Sequence, residues 1–234
     1  YGAICSNSVA DMTFSTFQLR RRAPGLSAYR ILFWWTFMIG VMRILLRIFY
    51  RYKCSGSEFV PRTGPIIIVA NHQSNFDPPI VGTVMCDRPS LGIARDTLLD
   101  SKVLGAYISA FGVISIKRGE SDMVAIRRAL KELAAGRCVM IFPEGTRTQT
   151  GEMGKFQRGL WLLVKKSKAP VLPIGIDGAY EVYPMGSKPK LRGWIEAAAG
   201  KAIDAEYLLG MGEEVGTEYV RSKVESLMVQ CRKS

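Results

Sequence analysis

The sequence predicts an α/β fold in which a central, largely parallel or mixed sheet is flanked by helices. Short β-branched apolar runs such as Ile66 to Ala70 are typical of strands buried on both faces. These runs alternate with stretches that carry apolar residues on one helical face. The 234 residues suffice for one such domain with a sizeable core. We expect it at 57–234, after a polar, basic lead-in at 1–29 and a membrane-associating helical segment at 30–56.

The most apolar stretch, residues 31–52, predicts a helix that lies at a membrane surface. Its uncharged first part would be about 18 Å long, too short to cross a hydrocarbon core of roughly 30 Å. Three arginines one turn apart share a helix face, and two tryptophans suit the interfacial belt: Arg43, Arg47, Arg51, Trp34 and Trp35. A re-entrant attachment fits the same pattern, and the alternatives are a core helix and a spanning helix with snorkelling arginines.

The formal net charge of +12 predicts an anionic partner. The basic residues of the chain are dispersed along the sequence and no nucleic-acid reader motif is present, so we expect no nucleic-acid partner. Basic residues on both sides of the apolar segment favour attachment to the anionic, cytoplasmic face of a membrane, the inner membrane if the source is bacterial. One histidine and five scattered cysteines argue against a metal centre or a disulfide framework. We expect no metal and no cofactor.

The apolar pattern also predicts the order of the elements. Strands are expected at 66–70, 91–95, 113–117, 138–142, 171–176 and 194–199. Helices are expected from Asp77 onwards and at 101–111, 121–135, 159–167 and 213–231. If the strands are parallel, the residues that follow their carboxyl ends lie around one cleft, which is where ligands bind in such sheets.

The first predicted strand is followed by a histidine and an aspartate that together have the chemistry of a general base. His72 leaves the strand end, and Asp77 opens the next helix directly before Pro78 and Pro79. We expect Asp77 to cap that helix and to hydrogen-bond the imidazole, which fixes the tautomer. A histidine oriented in this way activates a hydroxyl near neutral pH. The alternative is a buried histidine satisfied by backbone groups.

The segment from Phe142 to Arg147 follows another predicted strand and has the composition of an anion site. Gly145 permits a tight turn with exposed amides, Thr146 offers a hydroxyl, and Arg147 offers a planar fork for phosphate. Glu144 carries the wrong charge for phosphate and is expected to hold the turn or an arginine. The alternative is a polar turn with a solvated arginine.

Four motifs in order resemble those of the 1-acylglycerol-3-phosphate acyltransferases, the glycerolipid acyltransferase group. The resemblance covers about residues 64–180, and the motifs are Asn71 to Asp77, Gly112 to Arg118, Glu144 to Arg147 and Pro170 to Pro173. The sequence departs from the pattern at Ala169, where valine is usual, and at Gln157, which replaces a common lysine.

The resemblance implies an enzyme that moves a fatty acyl chain from a thioester donor, acyl-CoA or acyl carrier protein, to the free sn-2 hydroxyl of lysophosphatidic acid. The product is phosphatidic acid, as in phospholipid biosynthesis. It implies catalytic roles for His72 and Asp77. The residues implied in binding the substrate phosphate are Arg118, Glu144, Gly145, Thr146 and Arg147. Asn71, Lys117 and Pro173 are candidates for oxyanion or supporting roles.

Other functions stay open at this point. Within the enzyme class, the acceptor could be glycerol 3-phosphate or another lysophospholipid. A non-catalytic membrane-binding protein would explain the charge and the apolar helix, but not a base and phosphate-binding arginines at strand ends. Ser74 lies close to His72, but no glycine-flanked nucleophile elbow surrounds it, which argues against a serine hydrolase.

Overall fold

The computed structural model of the chain describes residues 24–25, 37–86, 88–95, 113–116 and 122–232. These residues form a sheet with helices on both faces, which confirms the α/β class. The strands are β1 (Lys53–Ser55), β2 (Ile66–Ala70), β3 (Ser90–Arg95), β4 (Val113–Ile116), β5 (Cys138–Ile141), β6 (Val171–Asp177) and β7 (Glu196–Ala199). The helices are α1 (Met38–Tyr50), α2 (Asp77–Met85), α3 (Asp122–Ala134), α4 (Gly159–Ser167), α5 (Ala179–Val182), α6 (Ala205–Met211) and α7 (Glu213–Arg232).

The strand order within these residues is β1-β7-β6-β2-β5-β3-β4, with β2 at the centre. Every pairing is parallel except that of β6 with β7, so the sheet is mixed. Val69 lies opposite Ile141 of β5, and Ala70 lies opposite Ile174 of β6. The carboxyl ends of β2, β4 and β5 therefore share one edge of the sheet, as the sequence predicted, and the residues that follow them meet there.

Strand β2 divides the core into two parts. Because successive side chains of a strand point to opposite faces, Ile66 and Ile68 pack under α1 and α2. Ile67 and Val69 pack under α3, α4 and α7 on the other face. All four are completely buried, which explains why this stretch shows continuous apolar character rather than alternation.

Helix α1 departs from the predicted arrangement of its arginines. Arg43 turns inward and donates to the carbonyl of Thr83 and, at 3.3 Å, to Sγ of Cys86. Because Thr83 lies in the last turn of α2, the guanidinium supplies a donor to one of the carbonyls that have no partner within the helix. Arg47 and Arg51 are exposed. The prediction of one exposed row of three arginines is therefore wrong for Arg43.

The outward face of α1 is apolar instead. Ile44 and Ile48 are 58% and 68% exposed, and Phe37, Leu45 and Phe49 extend the same surface. Leu46, on the opposite face, is buried in the core. Both faces of the helix are therefore apolar, and the exposed Arg47 lies at the margin of the outer one. None of the described helices combines the length and apolarity that a bilayer crossing requires.

Other boundaries agree closely with the sequence, and a few elements differ. Helix α4 has the predicted bounds, while β5, β6, β7 and α7 differ from prediction by one or two residues at an end. The short elements β1, α5, α6 and a 3₁₀ turn at Ser57–Phe59 were not predicted. Strand β1 joins the sheet although it falls inside the predicted membrane-associating segment. The predicted helix at 101–111 lies outside the described residues.

Candidate active site

A histidine and a buried carboxylate meet in the turn between β2 and α2. Nδ1 of His72 lies 2.7 Å from Oδ2 of Asp77, so the predicted contact is present. The same oxygen accepts hydrogen bonds from the backbone amides of Gln73 and Ser74, each at 2.6 Å. The Asp77 side chain is fully buried, whereas that of His72 is 20% exposed. The carboxylate therefore fixes the ring orientation and leaves Nε2 as the nitrogen available for proton transfer.

The carboxylate of Asp77 does not cap helix α2, and that prediction is wrong. Phe76 occupies the N-cap position, and Asp77 is the first helical residue. The following residues, Pro78 and Pro79, have no N–H groups to receive a cap. The carboxylate turns back instead to the amides of the preceding turn and to the imidazole.

Burial controls the electrostatics of this carboxylate. It raises the pKa of Asp77, and the hydrogen bonds from His72, Ser74 and Gln73 oppose that rise. Among the described residues, Oδ1 of Asp77 has no hydrogen-bond partner, so the bonds converge on Oδ2. The contact with Nδ1 places a carboxylate where it can stabilise the positive charge that a general base carries after it accepts a proton.

The loop after β5 holds His72 from its other side. The ring stacks on Phe142, with centroids 4.2 Å apart and planes 17° from parallel. The amide of His72 donates to Oε1 of Glu144 at 2.7 Å, and the amide of Thr148 donates to the His72 carbonyl at 2.8 Å. The backbone of His72 is therefore fixed through both of its polar groups.

Glu144 connects the two halves of this loop to the histidine. Its second oxygen, Oε2, accepts from the amide of Gly154 at 2.7 Å, and the side chain is buried. Burial raises the pKa of Glu144, and the two amide bonds oppose the rise. Both oxygens are thus engaged by backbone amides, which agrees with the turn-holding role expected from its charge. Phosphate binding by Glu144 itself is not supported, and within this motif the prediction now concerns Gly145, Thr146 and Arg147.

We expect Glu144→Gln to reduce catalytic efficiency about tenfold or more. Glutamine has one oxygen and no charge, so one of the two backbone amides loses its acceptor and the bond to the other is weakened. A hydrogen bond to a charged group typically contributes about 1.5 to 3 kcal/mol. The measurement is turnover together with the thermal unfolding midpoint. Glu214→Gln, the same change at an exposed carboxylate of α7, is the control and should leave both unchanged. Normal turnover in Glu144→Gln would show that the loop holds His72 without this carboxylate.

The turn after Phe142 presents Gly145, Thr146 and Arg147 beside the histidine loop. Its backbone closes through a 3.0 Å bond from the Gly145 amide to the Phe142 carbonyl. Gly145 has a φ of +75°, a conformation that favours glycine. Gly145 and Thr146 are exposed, and Nη1 of Arg147 donates to Oδ1 of Asn75 at 2.9 Å. A cleft of about 380 Å³ runs along this loop, so a cationic side chain borders both the cleft and the turn that carries His72.

Asn71 and Pro173 have supporting positions. The Asn71 side chain makes two 2.8 Å bonds with the backbone of Ile176: Nδ2 donates to the carbonyl and Oδ1 accepts from the amide. This side chain therefore joins the end of β2 to β6. Pro173 lies within β6 opposite Val69, and its carbonyl accepts from Gly200. Of the two predicted roles, the geometry of both residues supports the structural one.

Lys117 and Arg118 lie outside the described residues. Strand β4, which precedes them, ends at Ile116 on the same edge of the sheet as β2 and β5. The placement of their strand therefore agrees with the prediction, while their roles stay predictions.

The connection after β6, which contains α5 and Tyr183, also supports the site and was missed by the sequence analysis. Ser74 Oγ donates to the carbonyl of Tyr183 at 2.9 Å, so this hydroxyl is engaged in holding the turn. The amide of Tyr180 donates to Oε1 of Gln73 at 3.3 Å, and its hydroxyl donates to the Gln149 carbonyl at 2.6 Å. The position of this connection after the carboxyl end of a central strand could have indicated this role, because ligands bind beyond such strand ends.

The fold and the site together define a class of protein. An α/β sheet carries, at the carboxyl edge of its parallel strands, a histidine oriented by a buried carboxylate next to a cationic loop. The hydroxyl of the nearby Ser74 is bound to backbone, so within the described residues the site is centred on the histidine and Ser74 does not pair with it. The chain belongs to the acyltransferase family, whose model matches residues 51–177.

Individual relatives agree with this assignment. A 1-acyl-sn-glycerol-3-phosphate acyltransferase of Pseudomonas aeruginosa is 32% identical over 177 residues, which is 74% of this chain and 66% of the relative. A chloroplastic enzyme of the same name from Arabidopsis thaliana is 28% identical over 183 residues, 77% of this chain and 50% of the relative. The chain spans about half the length of the curated plant relatives that it matches.

A solved structure also resembles this chain over most of its length. It is the crystal structure of the 1-acyl-sn-glycerophosphate (LPA) acyltransferase PlsC from Thermotoga maritima. The TM-score is 0.73 at 25% sequence identity, and the match covers 94% of this chain and 88% of the other. The arrangement of strands and helices described above is therefore shared with a solved member of the family.

Proposed function

We propose that this protein is a 1-acylglycerol-3-phosphate acyltransferase that converts lysophosphatidic acid to phosphatidic acid. The observation that carries the proposal is the 2.7 Å contact between His72 and the buried Asp77, in a turn that Arg147 also contacts. The names of the family relatives support the choice of acceptor and reaction. The domain responsible is proposed to cover residues 57–234.

The proposed reaction needs a base that activates the acceptor's hydroxyl, and the donor thioester needs no further activation. Nε2 of His72 accepts the proton of the acceptor's sn-2 hydroxyl as the oxygen attacks the thioester carbonyl carbon. The tetrahedral intermediate then expels the thiolate, which takes up the proton, and the acyl chain remains on the glycerol oxygen. Asp77 stabilises the imidazolium that forms between these two steps. The amide of Thr146, an exposed residue of the Gly145 turn, is a candidate for stabilising the oxyanion.

The acceptor's phosphate supplies the handle by which the hydroxyl is positioned. Arg147 is half-buried beside the 380 Å³ cleft and is tied to Asn75, so its guanidinium is held rather than free in solvent. A fixed guanidinium can bind phosphate through two parallel hydrogen bonds. We propose that Arg147, Thr146, Gly145 and Arg118, which lies outside the described residues, form a phosphate clamp. The clamp places the hydroxyl against His72.

The acceptor is a lipid, so we propose that the protein works at the cytoplasmic face of a membrane and contacts its anionic surface. The exposed apolar face of α1, represented by Ile44 and Ile48, suits the boundary between headgroups and acyl chains. Arg47 and Arg51, which are also exposed, suit the phosphate level of an anionic surface. A helix lying in that plane explains outward-facing apolar residues that would otherwise be in contact with water.

The clamp is tested by comparing two acceptors. Arg147→Ala should cost roughly 10- to 100-fold in catalytic efficiency toward lysophosphatidic acid, because it removes a charge-assisted contact of about 1.5 to 3 kcal/mol. Arg147→Lys should restore part of the loss, since it returns the charge but not the planar fork. The assay uses acyl-CoA and acyl carrier protein as alternative donors, and glycerol 3-phosphate as an additional acceptor.

A monoacylglycerol without phosphate is the internal control. It does not use the clamp, so its poor rate should scarcely change in either variant. Arg127→Ala, at an exposed arginine of α3, is the matched control protein and should behave like wild type. Equal losses toward both acceptors in Arg147→Ala would show that Arg147 is structural or binds the donor.

A further inference from the structure

A second surface with the chemistry of a membrane contact lies beside α1. Residues 184–194, which we term the basic loop, lie between Tyr183 and Ile195, the residue that precedes β7. Within the loop Leu191 is 80% exposed, and Met185 and Trp194 are 43% and 42% exposed. The loop has three positively charged residues and no acidic one: Lys188, Lys190 and Arg192. All three are exposed.

The basic loop is anchored to the end of α1. The Tyr50 hydroxyl donates to the Lys190 carbonyl at 2.9 Å, and the amide of Ile195 donates to the Tyr50 carbonyl at 3.0 Å. The Lys190 amide donates in turn to the carbonyl of Val182 at 2.9 Å. The loop is therefore hydrogen-bonded both to the end of α1 and to α5, and its exposed surface adjoins that of α1.

The root of the loop also contacts the active-site turn. Phe76, the residue before Asp77, packs on Tyr50 with a centroid distance of 5.6 Å and on Tyr183 at 5.0 Å. Through this aromatic cluster, α1, the turn that carries His72, and the basic loop share one side of the molecule. A surface that contacts α1 and the loop at once would lie against the side on which the acceptor is proposed to react.

We infer that the basic loop is a second membrane-contacting element, which binds an anionic bilayer together with α1. Leu191 inserts below the headgroups, with Met185 and Trp194 at its edges, and the three cations lie at the level of the lipid phosphates. A leucine held out in water between cations is typical of an interfacial segment, because each component then meets its own layer of the bilayer. Nucleic acid would satisfy the cations but not the apolar side chains, and the bilayer satisfies both.

Two contacts have a consequence that one helix alone does not have. A single helix in the interface leaves the domain free to rotate about the helix axis, whereas a second attached contact fixes that rotation. This consequence rests on the proposed function, because it requires that the acceptor is a membrane lipid. With the domain fixed, a lysophospholipid can approach His72 without leaving the interface.

The test is sedimentation of the full chain with phosphatidylcholine vesicles, with and without phosphatidylglycerol. The triple variant Lys188→Gln, Lys190→Gln and Arg192→Gln should bind the anionic vesicles at least about tenfold more weakly, since each cation near such a surface contributes about fivefold. Leu191→Ser should weaken binding about three- to tenfold on both kinds of vesicle, because the apolar contact does not depend on lipid charge.

Matched changes on the opposite face serve as controls. Val215→Ser replaces a side chain that is 62% exposed on α7, and the double variant Lys165→Gln, Lys166→Gln removes two exposed cations of α4. Both should bind within about twofold of wild type if binding follows the apolar and cationic contacts of one face. Far-ultraviolet circular dichroism and the thermal midpoint verify that every variant is folded.

Two results would overturn the inference. One is vesicle binding by the loop variants at wild-type strength. The other is an equal loss in the loop variants and in the opposite-face controls, which would indicate general charge attraction. Turnover of a soluble, short-chain lysophosphatidic acid, measured in parallel, should be unchanged by the loop variants. Absence of turnover in wild type together with selective loss of vesicle binding would remove the proposed function and leave the membrane contact standing.

Discussion

His72→Ala should lower acyl transfer by roughly 10²- to 10⁴-fold, the usual contribution of a general base. The ring lies at the carboxyl end of β2 with Nδ1 bound to Asp77, so its removal takes away the proposed proton acceptor. The fold should survive, because the backbone of His72 remains bound to Glu144 and Thr148. The assay is thioester consumption in the presence of lysophosphatidic acid, with thermal unfolding measured in parallel.

His72→Gln separates the base from a purely structural histidine. Glutamine keeps a polar side chain of similar reach, which can donate to Asp77, but it cannot accept a proton near neutral pH. We expect it to be as inactive as the alanine variant and close to wild type in stability. More than about a tenth of wild-type turnover in either variant would end the assignment of His72 as the base.

Asp77→Asn should be the second large effect, with a loss of at least about a hundredfold. The amide oxygen keeps the position that accepts from Gln73 and Ser74, but the negative charge beside Nδ1 is lost. The imidazolium that forms when Nε2 takes the hydroxyl proton is then no longer stabilised. The loss should appear in kcat, measured by thioester consumption at saturating lysophosphatidic acid.

Asp177→Asn is the matched control for this change. Asp177 is also buried, but its carboxylate accepts from Nε of Arg232 at 2.9 Å and so anchors the end of α7. Its loss should lower the thermal midpoint while kcat is retained. Normal turnover in Asp77→Asn would mean that Asp77 serves to order the turn, by accepting from Gln73 and Ser74, and has no part in catalysis.

The parts of the fold that the sequence predicted are those with a local cause. The buried runs of β2 and β5 and the periodic faces of α3 and α7 follow from side-chain alternation within each element. Short elements such as β1 and α5 have too few residues for a period to be seen, and they form because neighbours are already in place. The inward turn of Arg43 depends on Thr83, forty positions away, so helical periodicity alone could not reveal it.

The same distinction holds for the candidate site. The contact between His72 and Asp77 was predictable because both lie in one turn that a strand end and two prolines define. The charge of Glu144 predicted that it would hold a turn, but its partners, the amides of His72 and Gly154, come together only through the sheet. Tyr180 and Tyr183 support the site through long-range bonds and carry no motif that would mark them.

The central claim, acyl transfer to lysophosphatidic acid, is tested most directly by identifying the products that the purified chain forms. The protein is incubated with an acyl thioester and lysophosphatidic acid, and the lipids are measured by mass spectrometry. We expect phosphatidic acid to appear in an amount equal to the free thiol released, with little free fatty acid. Thioester consumption that yields free fatty acid without phosphatidic acid, or no consumption with either donor, would contradict the proposed function.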